Sequence, residues 1–229
     1  MVKQKVLFTW IILLLITLSW TTAQPPIAVP DGFAGSAGTT GGGNATPIHV
    51  RSGSELKSAV SGDQAKVIVV HGNLKTGRFS VGSNTTIIGA DESAGISGAL
   101  IMVEGTNYIF QNLTCGPSGS DVMGVSGGTN VFITNCTFHD AGDEILSLTD
   151  QADYVTISWC KFYFDNSHGH AFGHLIGSGD NATGDRGKLH VTMHHNWYDK
   201  GVIGRMPRVR FGKVHLYNNY LNAVGNKYC

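Results

Sequence analysis

Three arginines stand close together in the segment RMPRVRFG, which runs from Arg205 to Gly212 and contains no acidic residue. Guanidinium groups stay protonated under almost all conditions, so Arg205, Arg208 and Arg210 repel one another unless an anion lies near them. We therefore expect this segment to face an anionic ligand.

The overall charge narrows the class of that ligand. The 229-residue chain has 16 Lys and Arg against 16 Asp and Glu, and charged residues make up only 14% of it. A protein of zero net charge lacks the broad positive field that drives non-specific binding to nucleic acid. We expect a local anion site and no nucleic-acid partner.

The first 23 residues are typical of a secretory signal peptide. A basic start, MVKQK, precedes the apolar run VLFTWIILLLITLSW, and small residues follow up to Ala23. The apolar run is shorter than the roughly 20 residues that a membrane-spanning helix needs. We predict cleavage near Ala23, secretion, and no membrane association of the mature protein; an uncleaved anchor is the alternative.

Short β-rich segments recur along the chain at a nearly constant step. They start at Thr85, Tyr108, Val131, Val155, Val191 and Val214. Successive starts are 23, 23, 24, 36 and 23 residues apart, and the long step fits one repeat that carries an insertion. Each segment is rich in Val, Ile, Thr, Tyr and Phe, as β-strands are, and a second strand-like piece follows in every period.

This repeat predicts an all-β fold, a right-handed parallel β-helix with coils of about 23 residues. A doubly wound α/β fold would need helices for which the spacing leaves no room, and a β-sandwich would lack the fixed step. Equivalent side chains of neighbouring coils should lie about 4.8 Å apart. Cys136 and Cys160 should then be neighbours, either as stacked thiols or as a disulfide, and Asn196 and Asn219 could form an asparagine ladder.

The predicted organisation has three parts. A signal peptide covers residues 1–23, a Gly-rich N-terminal extension covers 24–47, and a single β-helix domain covers 48–229. We expect the extension to form an extended cap that leads into a strand at 48–51. The chain stops within its last coil at Cys229, and an open end exposes unpaired strand edges. We therefore expect a domain truncated at its C-terminus with its last coils missing; a degenerate end is the alternative.

Six segments in order resemble the pectate lyases of polysaccharide lyase family 1. They are GFAGSAGTTGGG, VIVVHGNL, NTTIIG, VTISW, HLIGSGD and RMPRVRFGKVHLYNNY. The resemblance extends from about Gly32 to Cys229, and the family fold agrees with the repeat. It implies a secreted, monomeric enzyme that cleaves de-esterified polygalacturonate by β-elimination with the help of Ca²⁺.

The resemblance also implies roles for individual residues. Arg205 falls on the family's catalytic arginine, which removes the proton at C5 of the sugar. Arg210 falls on an arginine that binds the uronate carboxylate, and Arg208 between them is expected to support substrate binding. Asp121 and Asp143 fall on calcium ligands. One coil step separates these two aspartates, so they should stack on one face.

The acidic side of the site departs from the family pattern. Ser147 stands where the family has a further acid, and we expect it to be a weaker, neutral calcium ligand. Glu144 is expected to point elsewhere if its segment is a strand, and it could serve at most as a peripheral ligand. A calcium-independent pectin lyase-like enzyme and a catalytically degenerate β-helix that binds acidic polysaccharide are therefore the alternatives.

The basic side of the site departs from the family pattern at one position. The family has a substrate-binding lysine where this chain has Phe172, in the segment HAFGHLIG. Three other side chains, those of His170, His174 and Lys188, could compensate for its absence.

Overall fold

The computed structural model describes residues 25–98 and 101–222. Over these residues the chain forms three parallel sheets of eight, six and seven strands, which we call sheet A, sheet C and sheet B. The described part also contains helices α1 (Gly32–Ser36) and α2 (Gly53–Ala59) and a 3-10 turn at Thr183–Asp185.

The strands follow the same order in successive coils, from sheet A to sheet B and then to sheet C. Sheet A consists of β1 (Pro47–Val50), β2 (Lys66–Val70), β5 (Thr85–Gly89), β8 (Thr106–Gln111), β11 (Thr129–Thr134), β14 (Asp153–Ser158), β17 (His190–His194) and β20 (Lys213–Tyr217). Sheet B consists of β3 (Asn73–Lys75), β6 (Gly95–Ser97), β9 (Thr114–Cys115), β12 (Thr137–His139), β15 (Lys161–Tyr163), β18 (Trp197–Tyr198) and β21 (Tyr220–Leu221). Sheet C consists of β4 (Phe79–Val81), β7 (Ile101–Val103), β10 (Met123–Ser126), β13 (Glu144–Thr149), β16 (Phe172–Ile176) and β19 (Arg208–Val209).

The register of sheet A confirms the repeat. Each of the six predicted segment starts is the strand partner of the next, including Val155 and Val191 across the 36-residue step. The extra residues of that coil lie before and after β16, at 164–171 and 177–189, so the strands themselves keep their spacing. The predicted parallel β-helix is confirmed.

A left-handed residue bends the chain sharply between sheet A and sheet B in successive coils. Asn112, Asn135 and Asn218 have φ of 55°, 51° and 52°, and Trp159 and His195 hold the same place with φ of 55° and 53°. Asparagine tolerates this conformation better than most residues because its short polar side chain bonds locally. This requirement explains the recurring asparagines after the sheet A strands.

Stacked side chains fill the interior. The rings of Phe138 and Phe162 stack with centroids 5.7 Å apart, and Phe162 stacks on Tyr198 at 5.2 Å. Cross-coil stacking follows from the parallel in-register pairing of β12, β15 and β18. Because such rings bury large apolar areas, this column is a major contributor to the stability of the solenoid.

The stacks of asparagine and cysteine residues predicted from the sequence are also present in the structure. Asn219 Oδ1 accepts hydrogen bonds from the backbone N and from Nδ2 of Asn196, which confirms the predicted ladder. Cys136 and Cys160 are both buried and both are free thiols, as is Cys115. The stacked-thiol alternative is therefore the correct one for the pair; Cys229 lies outside the described residues.

The segment before β1 packs along the outer face of sheet A. The backbone N of Ala34 donates to Thr156 Oγ1 at 3.0 Å, and that of Gly42 donates to Thr86 Oγ1 at 2.9 Å. Ala34 also joins a small apolar cluster with Ile109 and Phe132. The segment leads into β1, as predicted for a strand at 48–51, but it is not an extended cap, because it covers a sheet face and includes α1. The domain boundary near residue 47 stays a prediction.

The predicted signal peptide, residues 1–23, lies outside the described residues. Among the residues that the structure describes, no helix has the length and apolar character needed to cross a membrane.

Candidate active site

The predicted site residues converge on sheet C and the loops that lead into it. Met123 of β10 pairs with Leu146 of β13, and the backbone N of Val122 donates to the carbonyl of Ile145. Continuing this register places Asp121, just before β10, level with Glu144, the first residue of β13. The parallel register therefore brings acids from two coils to one end of the sheet.

Three carboxylates form a cluster there. One oxygen from each of Asp121, Asp143 and Glu144 lies within 4.8 Å of the others. The two aspartates are brought together as predicted, but the expectation that Glu144 points elsewhere was wrong. Glu144 is only 3% exposed and is the most deeply buried of the three. We call these three residues the acidic cluster.

The surroundings of Asp121 perturb its ionisation. Burial raises the pKa of this carboxyl group, a hydrogen bond from Ser147 opposes the rise, and the negative charge of Asp143 adds to it. Each effect has the expected sign, since burial and a like charge disfavour the carboxylate while a donated hydrogen bond favours it.

Ser147 lies inside the site, where the sequence placed it. Its hydroxyl donates to Asp121 Oδ2 at 2.6 Å, and the residue is 8% exposed. In this arrangement the hydroxyl orients Asp121. It adds a neutral oxygen next to the acidic cluster but no negative charge.

Arg205 faces the acidic cluster from two coils beyond Glu144, across β16. Its Nη1 forms an ion pair with Glu144 Oε1, and its guanidinium carbon lies 4.1 Å from the ring centroid of Phe172. The carbonyl of Arg205 accepts a 2.6 Å hydrogen bond from the backbone N of His174, and its φ of 55° is uncommon for a residue other than glycine. Backbone and side chain are thus both held by neighbouring strands.

The surroundings of Arg205 lower its pKa. Burial is the largest cause, and the positive charges of Arg208 and Arg210 act in the same direction, while Asp143 and Asp121 oppose them. The positive charges of Arg208 and Arg210 therefore act on Arg205, as the sequence suggested.

Arg208 and Arg210 differ in their environments. Arg208 pairs with Leu175 in the sheet, is exposed, and forms no ion pair within the described part of the chain. Arg210 is held at its guanidinium, where Nε donates to Asp180 Oδ1 at 2.5 Å and Nη1 donates to the carbonyl of Gly177 at 3.3 Å. Asp180 is 88% exposed, so its carboxylate lies at the protein surface.

The histidines proposed to replace the missing lysine do not share one role. His174 is fully buried against Phe162 and Tyr198, and burial lowers its pKa to about 3, so it cannot act as a surface cation. His170 is exposed and lies 3.2 Å from Asp143 Oδ1 through its Nδ1. The guanidinium group of Arg205 packs against the ring of Phe172, a contact that the sequence did not predict.

The fold and the site define a parallel β-helix protein with a carboxylate cluster and arginines on one sheet. The family model described as pectate lyase matches residues 4–228, and the chain belongs to that family.

Curated relatives agree with this assignment. The chain is 38% identical over 212 residues to a probable pectate lyase A of Aspergillus flavus, a match covering 86% of this chain and 64% of that protein. It is 31% identical over 213 residues to a pectate trisaccharide-lyase of Thermotoga maritima, covering 83% of this chain and 56% of that protein. The chain thus spans 56% to 64% of the length of these relatives.

Solved structures share the fold. A mutant of Bacillus subtilis pectate lyase is similar with a TM-score of 0.77 at 24% identity, over 87% of this chain and 73% of that one. A pectate lyase bound to a hexasaccharide is similar with a TM-score of 0.77 at 23% identity, over 86% and 73% of the two chains. At these identities the likeness establishes the right-handed β-helix and nothing further.

Proposed function

We propose that this protein is a secreted pectate lyase that cleaves de-esterified polygalacturonate by β-elimination. One observation carries the proposal: a guanidinium group with a lowered pKa, that of Arg205, is fixed beside a cluster of carboxylates on sheet C. Membership of the pectate lyase family supports it. The signal-like sequence at residues 1–23 supports secretion, and we propose that the mature protein acts as a monomer.

In the proposed reaction, Arg205 removes the proton at C5 of a galacturonate unit. The electron pair of that C–H bond forms the C4–C5 double bond, the bond between C4 and the glycosidic oxygen breaks, and the leaving oxygen takes up a proton. Guanidinium is a poor base because it rarely gives up its proton. Burial and the nearby charges of Arg208 and Arg210 favour the neutral form and so make this role more accessible.

The donors of the site suit calcium. Ca²⁺ prefers six to eight oxygen ligands, and Asp121, Asp143 and Ser147 offer oxygen atoms only. Ser147 is the weakest of these because its hydroxyl is neutral and already bound to Asp121. When bound, Ca²⁺ would withdraw charge from the uronate carboxylate and make the C5 proton more acidic.

Arg210 and Arg208 are proposed to bind substrate carboxylates. Arg210 already holds a carboxylate, that of Asp180, and a uronate could replace it. Because Asp180 is largely exposed, its pair with Arg210 contributes roughly 0–1 kcal/mol, which a bound substrate can offset. Arg208 adds positive charge at the same edge without a competing partner in the described residues.

The test is an elimination assay on the purified chain. Polygalacturonate is incubated with Ca²⁺ or with EGTA, highly methyl-esterified pectin serves as the second substrate, and the ultraviolet absorbance of the unsaturated product is followed. The proposal predicts product from polygalacturonate with Ca²⁺ and little with EGTA. Product from esterified pectin unaffected by EGTA would instead indicate a pectin lyase-like enzyme. Binding without any product would indicate a degenerate β-helix.

A further inference from the structure

Glu144 has a position that no role proposed so far explains. It is 3% exposed, which is rare for a carboxylate unless it is paired. Its Oε1 lies in close contact with Arg205 Nη1, and no other donor to this oxygen is found within the described part of the chain. Its charge is therefore compensated by one neighbour, with little hydrogen bonding to hold it.

Negative charge exceeds positive charge at the acidic cluster. Asp121, Asp143 and Glu144 bring three carboxylates together, whereas Arg205 is the single arginine or lysine that forms an ion pair with any of them in the described residues. His170 contacts Asp143 but is largely exposed. Because Glu144 is buried and Asp121 is partly buried, a group with this excess of negative charge is stabilised by a further cation.

The register explains why Glu144 can take the place of the missing acid. The resemblance described above predicts an acid at the position of Ser147, three residues further along β13. In this chain the serine hydroxyl donates to Asp121, and the carboxylate that lies level with Asp121 is that of Glu144. In this chain β13 therefore brings its carboxylate to the site at Glu144 and a hydroxyl at Ser147.

We propose that Glu144 is the third carboxylate ligand of the cation site and that it is shared between the cation and Arg205. This inference rests on the proposed function, because it assumes that the acidic cluster binds Ca²⁺. Sharing couples the two groups: a cation that draws on Glu144 weakens its hold on Arg205, and Arg205 in turn competes with the cation for Glu144. Such coupling is reciprocal by thermodynamic necessity.

Calorimetric titration of the full chain with Ca²⁺ alone, without substrate, tests the proposal. Glu144→Gln should weaken Ca²⁺ binding at least about tenfold, since affinity follows the number of ligand charges. Glu104→Gln is the matched control, because Glu104 is an exposed glutamate that follows β7 on the same sheet and accepts a hydrogen bond from Ser80. It should leave the affinity unchanged.

Two further variants test the sharing. Arg205→Met should tighten Ca²⁺ binding severalfold, because it removes the competitor for Glu144. Glu144→Gln combined with Ser147→Asp should recover most of the lost affinity, because it restores three carboxylates. Circular dichroism spectra of all variants establish that the fold is retained.

The outcomes separate this inference from the proposed function. If the parent chain binds Ca²⁺ and Glu144→Gln binds it equally well, Glu144 is only the ion-pair partner of Arg205 and the inference is wrong, while the proposed function stands. If Arg205→Met weakens Ca²⁺ binding, the sharing is wrong. If the parent chain binds no Ca²⁺ and still eliminates polygalacturonate in EGTA, the calcium part of the proposed function fails together with the inference.

Discussion

The ion pair between Arg205 and Glu144 allows a quantitative prediction about stability. The Glu144 side chain is 4% exposed and that of Arg205 is 21% exposed, so the pair is buried on one side and partly screened on the other. Removing one partner of a buried pair costs about 3–5 kcal/mol, because the other charge is left without compensation. The partial exposure of Arg205 places the expected cost of Arg205→Met near the lower limit, at about 3 kcal/mol.

Arg205→Met combined with Glu144→Gln should be more stable than Arg205→Met alone. Glu144→Gln removes the charge that needs compensation, so adding it to Arg205→Met should restore about 2 kcal/mol of the loss. Methionine keeps an unbranched chain against Phe172, so the packing on that ring is largely retained. The pair should therefore show strong coupling in a double-mutant cycle.

The assay is equilibrium unfolding in urea with EGTA present, supported by thermal melts. For a domain of this size, a loss of about 3 kcal/mol corresponds to a decrease in Tm of roughly 6–12 °C. The reasoning is refuted if the effects of the two single substitutions add, or if Arg205→Met changes the free energy of unfolding by less than about 1 kcal/mol. Either result would mean that Glu144 is not held by Arg205.

Three further predictions concern acid stability, substrate affinity and the core. Burial lowers the pKa of His174 to about 3 against an ordinary value of 6.5, so it stays neutral in the folded state while the unfolded chain takes up a proton. The free energy of unfolding should therefore decrease by about 2 kcal/mol between pH 6.5 and 5, measured in urea. Asp180→Asn should lower KM for polygalacturonate severalfold with little change in kcat, because it frees Arg210. Phe162→Ala should cost about 4 kcal/mol by opening a cavity in the stacked column, whereas Tyr220→Ala, at an exposed ring, should cost less than about 0.5 kcal/mol.

Each of these three predictions has a control variant or an outcome that would contradict it. His174→Leu should remove most of the acid dependence, and an unchanged pH profile would show that another group causes it. A raised KM for Asp180→Asn would mean that Asp180 orients Arg210 rather than competing for it. Equal costs for Phe162→Ala and Tyr220→Ala would contradict the placement of Phe162 in the core.

The repeat could be predicted from the sequence because it depends on spacing. A constant step between β-rich segments requires parallel pairing in register, which the structure contains from Thr85 to Val214. Arg205, Asp121 and Asp143 followed from the resemblance to the pectate lyase family, and the coil step added that the two aspartates should stack; the structure places all three around one end of sheet C.

The position of Glu144 could not be predicted from the sequence. Successive side chains point to opposite faces only within a strand, and this alternation does not hold for a residue that precedes the strand. Asp143 lies before β13 and Glu144 begins it, so a rule that sends neighbours to opposite faces does not apply to this pair. The contact between Arg205 and Phe172 was missed for a related reason. It joins two coils through a residue of left-handed backbone, and nothing in the local sequence encodes that geometry.

The most direct test of the central claim is the chemical nature of the cleavage. Polygalacturonate is digested with the purified chain and Ca²⁺ in oxygen-18-labelled water, and the products are analysed by mass spectrometry. Elimination predicts fragments with an unsaturated sugar at the new non-reducing end and no oxygen taken from the solvent at the cleaved bond. Fragments that carry one labelled oxygen at each cut and lack the double bond would show hydrolysis and contradict the assignment of a lyase.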